Sequence, residues 1–286
     1  KNSWTVFELS SFQMQDLKVS PSYAVVLDIF PDHLDAHKNF KEYLDAKSQI
    51  ARHQKKSDKI FYFADNRYSK LVARQSRGKK IAVSPYIPNS HELAHKVREI
   101  IRILGEHNLK NAVMAAAVAR HFGINEKIIL DTIKKFKGLE HRLKLVRKIG
   151  NISFYNDSSA VNPNATAAGI QTFQGPQIVL LGGRDRNLDY SPIANAIKSS
   201  NIKLAVLFGA NQQKVRKVLN KIKVPIIATK NLKAGVMLAY RQAKSYIEKE
   251  RVITVLLSPG APSFDQFRDY YERGEAFKKI IKNIHV

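Results

Sequence analysis

The second half of the chain alternates short apolar runs with longer amphipathic segments, and this alternation constrains the fold more than any other feature. Near-continuous apolar runs predict strands buried on both faces, and the segments between them predict helices. Strands are predicted over 152–155, 178–181, 204–208, 225–228 and 252–257, and helices over 163–173, 191–199, 211–221, 231–249 and 264–284. This order is typical of a parallel sheet with helices on both faces, so this half is predicted to be a doubly wound α/β domain.

Three of these predicted strands end in polar, glycine-containing or hydroxyl-rich stretches. They are Asn156–Ala160, Gly182–Arg186 and Ser258–Ser263. Ligands of parallel α/β sheets bind outside the carboxyl ends of the strands. We therefore expect the three stretches to lie together at one edge of the sheet.

The first half also has an α/β pattern, with a different spacing. Strands are predicted over 4–7, 23–29, 60–63 and 81–83, helices over 39–53, 112–121 and 128–136, and a loop over 85–90. The pattern resets near residue 144. We therefore predict two domains, residues 1–143 and residues 144–286, which suits a chain of this length.

Charge is the one extreme feature of the composition. The 286 residues carry a net charge of +24, include no cysteine and are 44% hydrophobic. The chain has no signal-peptide pattern at its start and no run near the roughly 18 apolar residues of a membrane span, so a soluble cytoplasmic protein is expected. The lysines are scattered in pairs, which is typical of solvated faces. Nucleic-acid binding is not predicted, and it stays an alternative supported by the charge alone.

Three residues of the first half are candidate ligands, each with a second interpretation. Glu8 follows the predicted strand 4–7, where it is either a Mg²⁺ ligand or a solvated carboxylate. His33, between Asp32 and Asp35, either accepts a metal or orients a phosphate, or else lies exposed in a helix-capping loop. Lys47 falls on the apolar face of the predicted helix 39–53, where it either snorkels to solvent or reaches a site.

Three further polar side chains are candidates for nucleotide recognition. Asn108 and Asn111 are one helical turn apart, so their amides share a face and can contact a base edge or a phosphate. Arg142 carries the planar guanidinium that suits phosphate, and it is alternatively a surface cation in a loop.

Eight short motifs occur in an order that resembles the Mur ligases. They are Glu-Leu-Ser-Ser-Phe-Gln, Asp-His-Leu-Asp, Tyr-Leu-Asp-Ala-Lys, Gly-Glu-His-Asn-Leu-Lys-Asn, His-Arg, Asn-Asp-Ser, Gly-Gly-Arg-Asp-Arg and Leu-Ser-Pro-Gly-Ala-Pro-Ser-Phe-Asp-Gln-Phe. The resemblance extends from Glu8 to the Glu272-Arg273-Gly274 that precedes the last predicted helix. Within the family the motifs are most similar to the branch that adds D-glutamate to UDP-N-acetylmuramoyl-L-alanine. The resemblance implies a P-loop-type central α/β domain, of which residues 1–143 are the remainder, followed by a Rossmann-like doubly wound domain.

The resemblance also implies a chemistry and its cofactors. In this family ATP converts a carboxylate to an acyl phosphate, which the amino group of the amino-acid substrate then attacks. By analogy Glu8 and His33 hold Mg²⁺, and Lys47 carries a carbamate that is a ligand of a second ion. Lys47, His33 and Arg186 are the catalytic candidates. A monomer is expected.

The remaining site residues follow from the same resemblance. Asn108 and Asn111 match positions near the adenine, Arg142 matches a nucleotide-phosphate contact, and Asp157 matches a ribose and interdomain contact. Arg186 stands where a cation receives a carboxylate of glutamate. The same substrate pocket is expected to include Ser159, Ser263 and Tyr270.

The sequence departs from the family pattern in several places. The glycine-rich phosphate loop ending in Gly-Lys-Ser/Thr is absent, because Gly78-Lys79-Lys80 lacks the preceding glycine and the following hydroxyl. The UDP-binding N-terminal domain is also absent, so we expect a fragment of a longer ligase that is inactive by itself.

Other departures are local, and they leave alternatives open. Ser159 stands where many relatives have lysine, and Val161 where many have threonine, which weakens the expected glutamate site. The segment between Ser84 and Gly105 is short for the family, so one edge of the central sheet is expected to be reduced. The alternatives are another glutamate ligase of the superfamily, such as a folylpolyglutamate synthase-like enzyme, and a basic nucleic-acid-binding protein.

Overall fold

The computed structural model describes residues 3–33, 36–247 and 252–285. Its contacts divide the chain into two compact units: unit 1 is Lys1–Ile101 with Asn108–Phe136, and unit 2 is Arg102–His107 with Lys137–Val286. The main division thus falls between residues 136 and 137, and a short segment before Asn108 belongs to unit 2. Leu34 and Asp35 of the Asp-His-Leu-Asp motif lie outside the described residues.

Unit 1 is a small parallel sheet covered by helices. Its elements are α1 (Ser11–Met14), β1 (Tyr23–Val26), α2 (Phe40–Arg52), β2 (Lys59–Phe63), α3 (Arg67–Arg74), β3 (Lys79–Val83), α4 (Pro88–Ile100), α5 (Glu106–His121) and α6 (Glu126–Lys135). The strand order is β1-β2-β3. Phe61 and Phe63 of β2 pack into a core with α4, α5 and α6, whereas Ile60 packs into a core with α2 and α3. Alternate residues of a strand point to opposite faces, so β2 supplies both cores.

The predicted strand over residues 4–7 was wrong. These residues are irregular, and Trp4, Val6 and Phe7 are 69%, 95% and 78% exposed. A strand needs a hydrogen-bonding partner, and within the described residues β1 pairs with β2 alone. The Trp4 ring instead packs against Phe122, with the two ring centres 4.4 Å apart.

The predicted loop over residues 85–90 was wrong from Pro88 onward, because Pro88 begins helix α4. Proline suits the first helical turn, where its missing N–H would have no partner. The helix buries Leu93, Ala94 and Val97 against the sheet. Short polar segments around this buried face concealed the helix in the sequence.

Unit 2 is a larger sheet with helices on both faces. Its further elements are β4 (Lys144–Ile149), β5 (Ile152–Asn156), α7 (Pro163–Gln171), β6 (Gln177–Leu181), α8 (Ser191–Lys198), β7 (Ile202–Leu207), α9 (Gln212–Leu219), β8 (Ile226–Ala228), α10 (Leu232–Ile247), β9 (Ile253–Leu257) and α11 (Tyr270–Lys282). The strand order is β4-β5-β9-β6-β7-β8. Cores on the two faces are formed with α10 and α11 on one side and with α7, α8 and α9 on the other.

Two details of unit 2 correct the predictions. The sheet is not wholly parallel, because β4 pairs antiparallel with β5 through a turn at Gly150, whose φ is 53°. The last helix begins at Tyr270 rather than at residue 264, with the Asp269 side chain accepting a hydrogen bond from the N–H of Glu272. Among the described residues, none of the helices combines the length and apolar character needed to cross a membrane.

Candidate functional site

In unit 2 the three polar strand exits meet at one edge of the sheet, as predicted, because β5, β9 and β6 are neighbours. Arg273 of α11 joins them. Its guanidinium is fully buried and donates to the hydroxyl of Ser158 (2.9 Å), to the carbonyl of Ala261 (2.9 Å) and, more weakly, to the carbonyl of Gly182 (3.5 Å). Burial lowers the pKa of Arg273 to about 9, against the opposing effect of Asp265 and Asp157. One buried cation therefore ties the three strand exits together.

The loop after β6 depends on glycine because it passes close to neighbouring backbone. Gly182 has a φ of 143°, and a Cβ there would lie 1.6 Å from the carbonyl oxygen of Phe208. The loop continues to Arg186, which is half-buried. On either side of Arg186, Asp185 and Asn187 both contact the ammonium of Lys214. Lys214 of α9 therefore fixes the loop that carries Arg186.

Asp157 lies at the exit of β5 and is 5% exposed. One carboxylate oxygen accepts from the N–H of Leu143 (3.2 Å) and the other from the hydroxyl of Ser258 (2.8 Å). Burial raises the pKa of Asp157 to about 7, although these two hydrogen bonds and the nearby arginines oppose the rise. A Cβ on Gly169 would lie 2.8 Å from the same carboxylate, so α7 packs directly on it. Asp157 is thus built into unit 2, and its predicted ribose contact stays untested.

The predicted substrate residues of unit 2 differ in their surroundings. The Ser263 side chain is 1% exposed, and its hydroxyl has no hydrogen-bond partner within the described residues. Ser159 is half-buried, with its N–H donating to the carbonyl of His141. Tyr270 is 45% exposed, and its carbonyl accepts from the Ser158 hydroxyl. Among the described residues of unit 2, the Ser263 hydroxyl is therefore a buried donor at this edge that packing has left unpaired.

Arg142 is exposed and follows a fully buried histidine, His141. The side-chain amide of Asn156 donates to Nδ1 of His141 and to the carbonyl of Gly274, while its oxygen accepts from the N–H of Ser158. The amide orientation is thereby fixed, so Nδ1 is an acceptor and Nε2 carries the hydrogen. Burial lowers the pKa of His141, which agrees with a neutral ring.

This tautomer determines whether a nearby cluster of two glutamates and His141 can bind a metal ion. Glu140, His141 and Glu275 have potential ligand atoms within 4.8 Å of one another. However, Nε2 of His141 presents a hydrogen toward Glu275, 3.5 Å away, and the ammonium of Lys278 contacts both carboxylates. The cluster is therefore an ion-pair network that orients Glu275, and it has no lone pair from histidine for a metal.

Lys47 of α2 is half-buried in unit 1, close to acidic side chains. Its ammonium lies 5.3 Å from the centre of the Tyr43 ring. Burial lowers the pKa of Lys47, and the charges of Asp32 and Glu8 oppose that change. Burial, with a contribution from Asp32, raises the pKa of Tyr43. The structure therefore brings Glu8 and Lys47 together, although Glu8 leaves an irregular segment rather than a strand.

His33 belongs to an aromatic cluster beside Lys47. Its φ is 55°, in the left-handed region that costs a non-glycine residue free energy and that occurs often at functional sites. Its N–H donates to the Asp32 carboxylate (2.8 Å), and its ring packs against Phe12. His37, which is buried, stacks on the Phe12 ring, and its Nε2 forms a hydrogen bond with the Ser11 hydroxyl.

Helix α5 carries both predicted nucleotide asparagines, Asn108 buried and Asn111 half-buried. Between them Lys110 donates to Asp28 (2.8 Å) beyond β1 and to Asp65 (2.8 Å) beyond β2. The Lys110 side chain is 12% exposed, so this is a largely buried ion triad. It anchors the start of α5 at the carboxyl edge of the unit 1 sheet.

The sequence predictions missed several residues that build these edges: Asp28, Asp65 and Lys110 in unit 1, together with His37, Tyr43 and Arg273. Lys110 had a visible signal, because a lysine between two asparagines at the start of an apolar helix needs a partner. Arg273 lay within the resemblance but was given no role. Gly78, which the sequence analysis compared with a phosphate loop, precedes β3. A Cβ at this position would be 2.4 Å from the Asp58 carbonyl oxygen, so close packing requires the glycine.

The fold and these edges define a class: α/β units with parallel sheets that gather charged side chains at the carboxyl ends of their strands. The profile of a family described as Mur ligase middle domain matches residues 1–119. The chain is 33% identical to UDP-N-acetylmuramoylalanine–D-glutamate ligase of Clostridium acetobutylicum, over 98% of this chain and 63% of that protein. It is 34% identical to the protein of the same name from a Thermoanaerobacter species, over 99% of this chain and 65% of that protein.

Solved structures agree in fold. MurF from Acinetobacter baumannii is similar with a TM-score of 0.68 at 16% identity, over 94% of this chain and 62% of that chain. Folylpolyglutamate synthase of Mycobacterium tuberculosis, complexed with ADP, is similar with a TM-score of 0.65 at 15% identity, over 91% and 63%. The chain belongs to the Mur ligase family. It spans 63–65% of the length of the two D-glutamate ligases compared above.

Proposed function

We propose that this chain is part of an ATP-dependent ligase that joins D-glutamate to UDP-N-acetylmuramoyl-L-alanine in peptidoglycan precursor synthesis. The observation that carries the proposal is the match of 98–99% of the chain to relatives named for that activity. In the proposed reaction ATP phosphorylates the alanine carboxylate, and the amino group of D-glutamate then displaces phosphate to form the amide. The protein's task is to position the reactants and to neutralise charge.

Unit 1 would hold the nucleotide and Mg²⁺. The amides of Asn108 and Asn111 on α5 would contact the adenine, with α5 fixed by the Lys110 triad. Glu8, His33 and Lys47 would hold Mg²⁺, which supplies positive charge to the transferred phosphoryl group when it is bound. Carboxylate oxygens around a half-buried amine suit this ion once the amine carries a carbamate.

The surroundings of Lys47 support that modification. A lowered pKa increases the fraction of neutral amine, which is the form that attacks CO₂. Attack forms an N–C bond and releases a proton, and the ammonium becomes a carbamate anion beside Asp32 and Glu8. Anions gathered in this way need a cation between them, and a divalent ion meets that need.

Unit 2 would hold the amino-acid substrate and a nucleotide phosphate. Arg186 would receive a glutamate carboxylate, and the unpaired hydroxyl of Ser263 would donate to the same substrate. Ser159 and Tyr270 would complete the wall of the pocket. Arg142 would contact the nucleotide phosphates, and the N–H of the next residue, Leu143, donates to the Asp157 carboxylate.

The carbamate has a direct test. We expect the protein, equilibrated with ¹³C-bicarbonate, to show a carbamate carbon signal by NMR. The signal should vanish in Lys47→Ala and persist in Lys41→Ala, which alters an exposed lysine of the same helix. A wild-type protein without the signal, or a signal that survives in Lys47→Ala, would contradict the assignment.

Substrate class has a separate test by calorimetry. We expect D-glutamate to bind more tightly than L-glutamate, and Arg186→Met to weaken it while Arg268→Met, at an exposed site, does not. Tighter binding of a pteroylglutamate than of UDP-N-acetylmuramoyl-L-alanine would favour the folylpolyglutamate synthase-like alternative. Affinity for random duplex DNA that falls steeply with salt, without binding of these ligands, would favour the nucleic-acid alternative.

We also propose that this chain alone does not turn over, because its sequence has no glycine-rich phosphate loop ending in Gly-Lys-Ser/Thr. Phosphate release should stay at background when the chain is supplied with MgATP, UDP-N-acetylmuramoyl-L-alanine and D-glutamate. Release at the rate of an intact ligase would refute this.

A further inference from the structure

A cavity in unit 1 lies at the free side of strand β3. Within the described residues β3 pairs with β2 on one side alone. A cavity of about 490 Å³ runs along all five residues of the strand. The remaining walls come from β2, α4 and α5: Phe61, Ser90, Leu93, Ala117, Arg120 and His121.

The backbone of β3 presents hydrogen-bonding groups to this side. The N–H of Lys79 donates to Asp58, and the carbonyl of Val83 accepts from Ala64, so the odd-numbered residues of β3 bond toward β2. In a parallel ladder the intervening residues point their N–H and C=O groups the other way. Lys80 and Ala82 therefore offer an unpaired edge to an added strand.

The titratable side chains that line the cavity are basic. They are Lys79, Lys80, Arg120 and His121, and among the described residues no acidic side chain is part of the lining. The Lys80 ammonium is already bonded to the carbonyls of Ser76 and Gly78. Lys79 is exposed, and the Arg120 side chain is 55% exposed, with its nearest carboxylate, Glu126, 3.9 Å away. These two cations set the preference for a negative partner.

This surface is separate from the nucleotide edge of unit 1. Helix α5 begins at that edge, where Lys110 contacts the strand exits, and it reaches the cavity at Arg120 and His121. Ten residues of helix correspond to about 15 Å. An occupant of the cavity would thus leave the nucleotide edge accessible.

We propose that the free edge of β3 binds an acidic segment of a partner protein in an extended conformation. The segment would add as a further strand, with main-chain hydrogen bonds to Lys80 and Ala82, as in other cases of strand addition. Its side chains on the face of Lys79, Ile81 and Val83 would meet Phe61 and Leu93, and a carboxylate on that same face would reach Lys79 and Arg120. This inference does not depend on the proposed ligase activity.

The experiment measures fluorescence anisotropy of labelled peptides with the full chain. The probe is the peptide Val-Val-Glu-Glu-Val-Val-Glu, which presents valine and glutamate on both faces of an extended strand and, at about seven residues, is long enough to pair with β3. A second peptide has lysine in place of glutamate, and a third keeps the glutamates but replaces one pair of adjacent valines with proline, which removes a ladder donor whichever way the strand is seated. We expect saturable binding of the first peptide and binding roughly tenfold or more weaker for the other two.

Protein variants locate the surface. The double variant Lys79→Glu/Arg120→Glu should bind the acidic peptide roughly tenfold or more weakly. The control double variant Lys148→Glu/Lys221→Glu changes two exposed lysines of unit 2 and should leave the affinity for the peptide unchanged. Ala82→Pro removes an N–H that faces away from β2 and should also weaken binding. If Ala82→Pro fails to fold by circular dichroism, the proline peptide still decides between strand addition and simple attraction. Equal binding of the proline peptide, equal loss in the unit 2 variant, or displacement by duplex DNA at equal charge would overturn the proposal.

Discussion

The carboxyl edges of the two sheets use charged side chains in opposite ways. In unit 2 the charged groups are deeply buried and bonded to their own unit: Arg273 to three strand exits, and Asp157 to Leu143 and Ser258. In unit 1 Lys47 is half-buried and Glu8 is exposed, and these groups influence each other through their charges. Polar motif residues at a strand exit can therefore either build the edge or remain accessible to a ligand, and burial distinguishes the two.

The strongest test of this comparison is the removal of the buried cation. Arg273→Met leaves the Ser158 and Ala261 carbonyls and the Ser158 hydroxyl without their donor, so we expect unfolding free energy to fall by about 3–5 kcal/mol. Urea denaturation followed by circular dichroism measures it. Arg268→Met, at an 86% exposed side chain, should change stability by no more than about 0.5 kcal/mol. A comparable small change in Arg273→Met would show that the edge does not depend on the guanidinium.

The buried carboxylate should make unit 2 sensitive to pH. The folded pKa of Asp157, about 7, is above the unfolded value of about 3.9, so the folded state binds the proton more tightly. Its contribution to stability is fully present below about pH 4 and is lost as pH rises toward 7, at a limiting slope near 1.4 kcal/mol per pH unit.

Asp157→Asn imitates the protonated carboxyl, since its oxygen can accept from Leu143 and its amide can donate to Ser258. The difference in unfolding free energy between wild type and Asp157→Asn, measured from pH 4 to pH 8, should therefore shift in favour of the variant as pH rises. Asp189→Asn is the control: that carboxylate is exposed and its hydrogen bonds to Ser191 lower its pKa, so its variant should show no such shift. Parallel pH profiles for wild type and Asp157→Asn would refute the assignment.

The ion triad of unit 1 resembles the unit 2 edge in its burial. Lys110→Met would leave Asp28 and Asp65 facing each other without their shared cation, and we expect a loss of about 2–3 kcal/mol. Thermal unfolding should show the change, and Lys127→Met, at an exposed position of α6, should not. Restoration of stability in Lys110→Met by adding Asp28→Asn would confirm that repulsion between the carboxylates is the cause.

The smallest expected effect is at Ser263. Its hydroxyl is buried without a partner in the described residues, so Ser263→Ala should leave stability unchanged or raise it by about 0.5 kcal/mol. The same substitution should weaken D-glutamate binding if the hydroxyl contacts that substrate. Thr166→Ala is the matched comparison, because the Thr166 hydroxyl is bonded to Ser258 and its loss should be destabilising. If Ser263→Ala is destabilised, the hydroxyl stabilises the fold and is not an unpaired donor.

The α/β class and most elements of unit 2 followed from apolar periodicity, because strands buried on both faces leave near-continuous apolar runs. The three polar strand exits and the sheet edge that they share were predicted from the same pattern. The missed elements were those whose identity depends on a distant partner: residues 4–7, which are apolar but unpaired, the antiparallel strand β4, and helix α4, whose buried face is interrupted by polar residues. The site residues came from motif order rather than from periodicity.

By itself, the sequence determined the class of fold, the position of the polar strand exits and the family, since these depend on local periodicity and on residues in order. The tertiary structure decided which charged side chains are buried and bonded within their unit and which remain accessible to a ligand. Arg273, Asp157 and Lys110 meet partners far along the chain, and burial makes those contacts energetically decisive. Lysine and serine also occur at many surface positions, so the residue type alone does not distinguish Lys47 and Ser263. The packing around them lowers the pKa of the Lys47 amine and leaves the Ser263 hydroxyl unpaired.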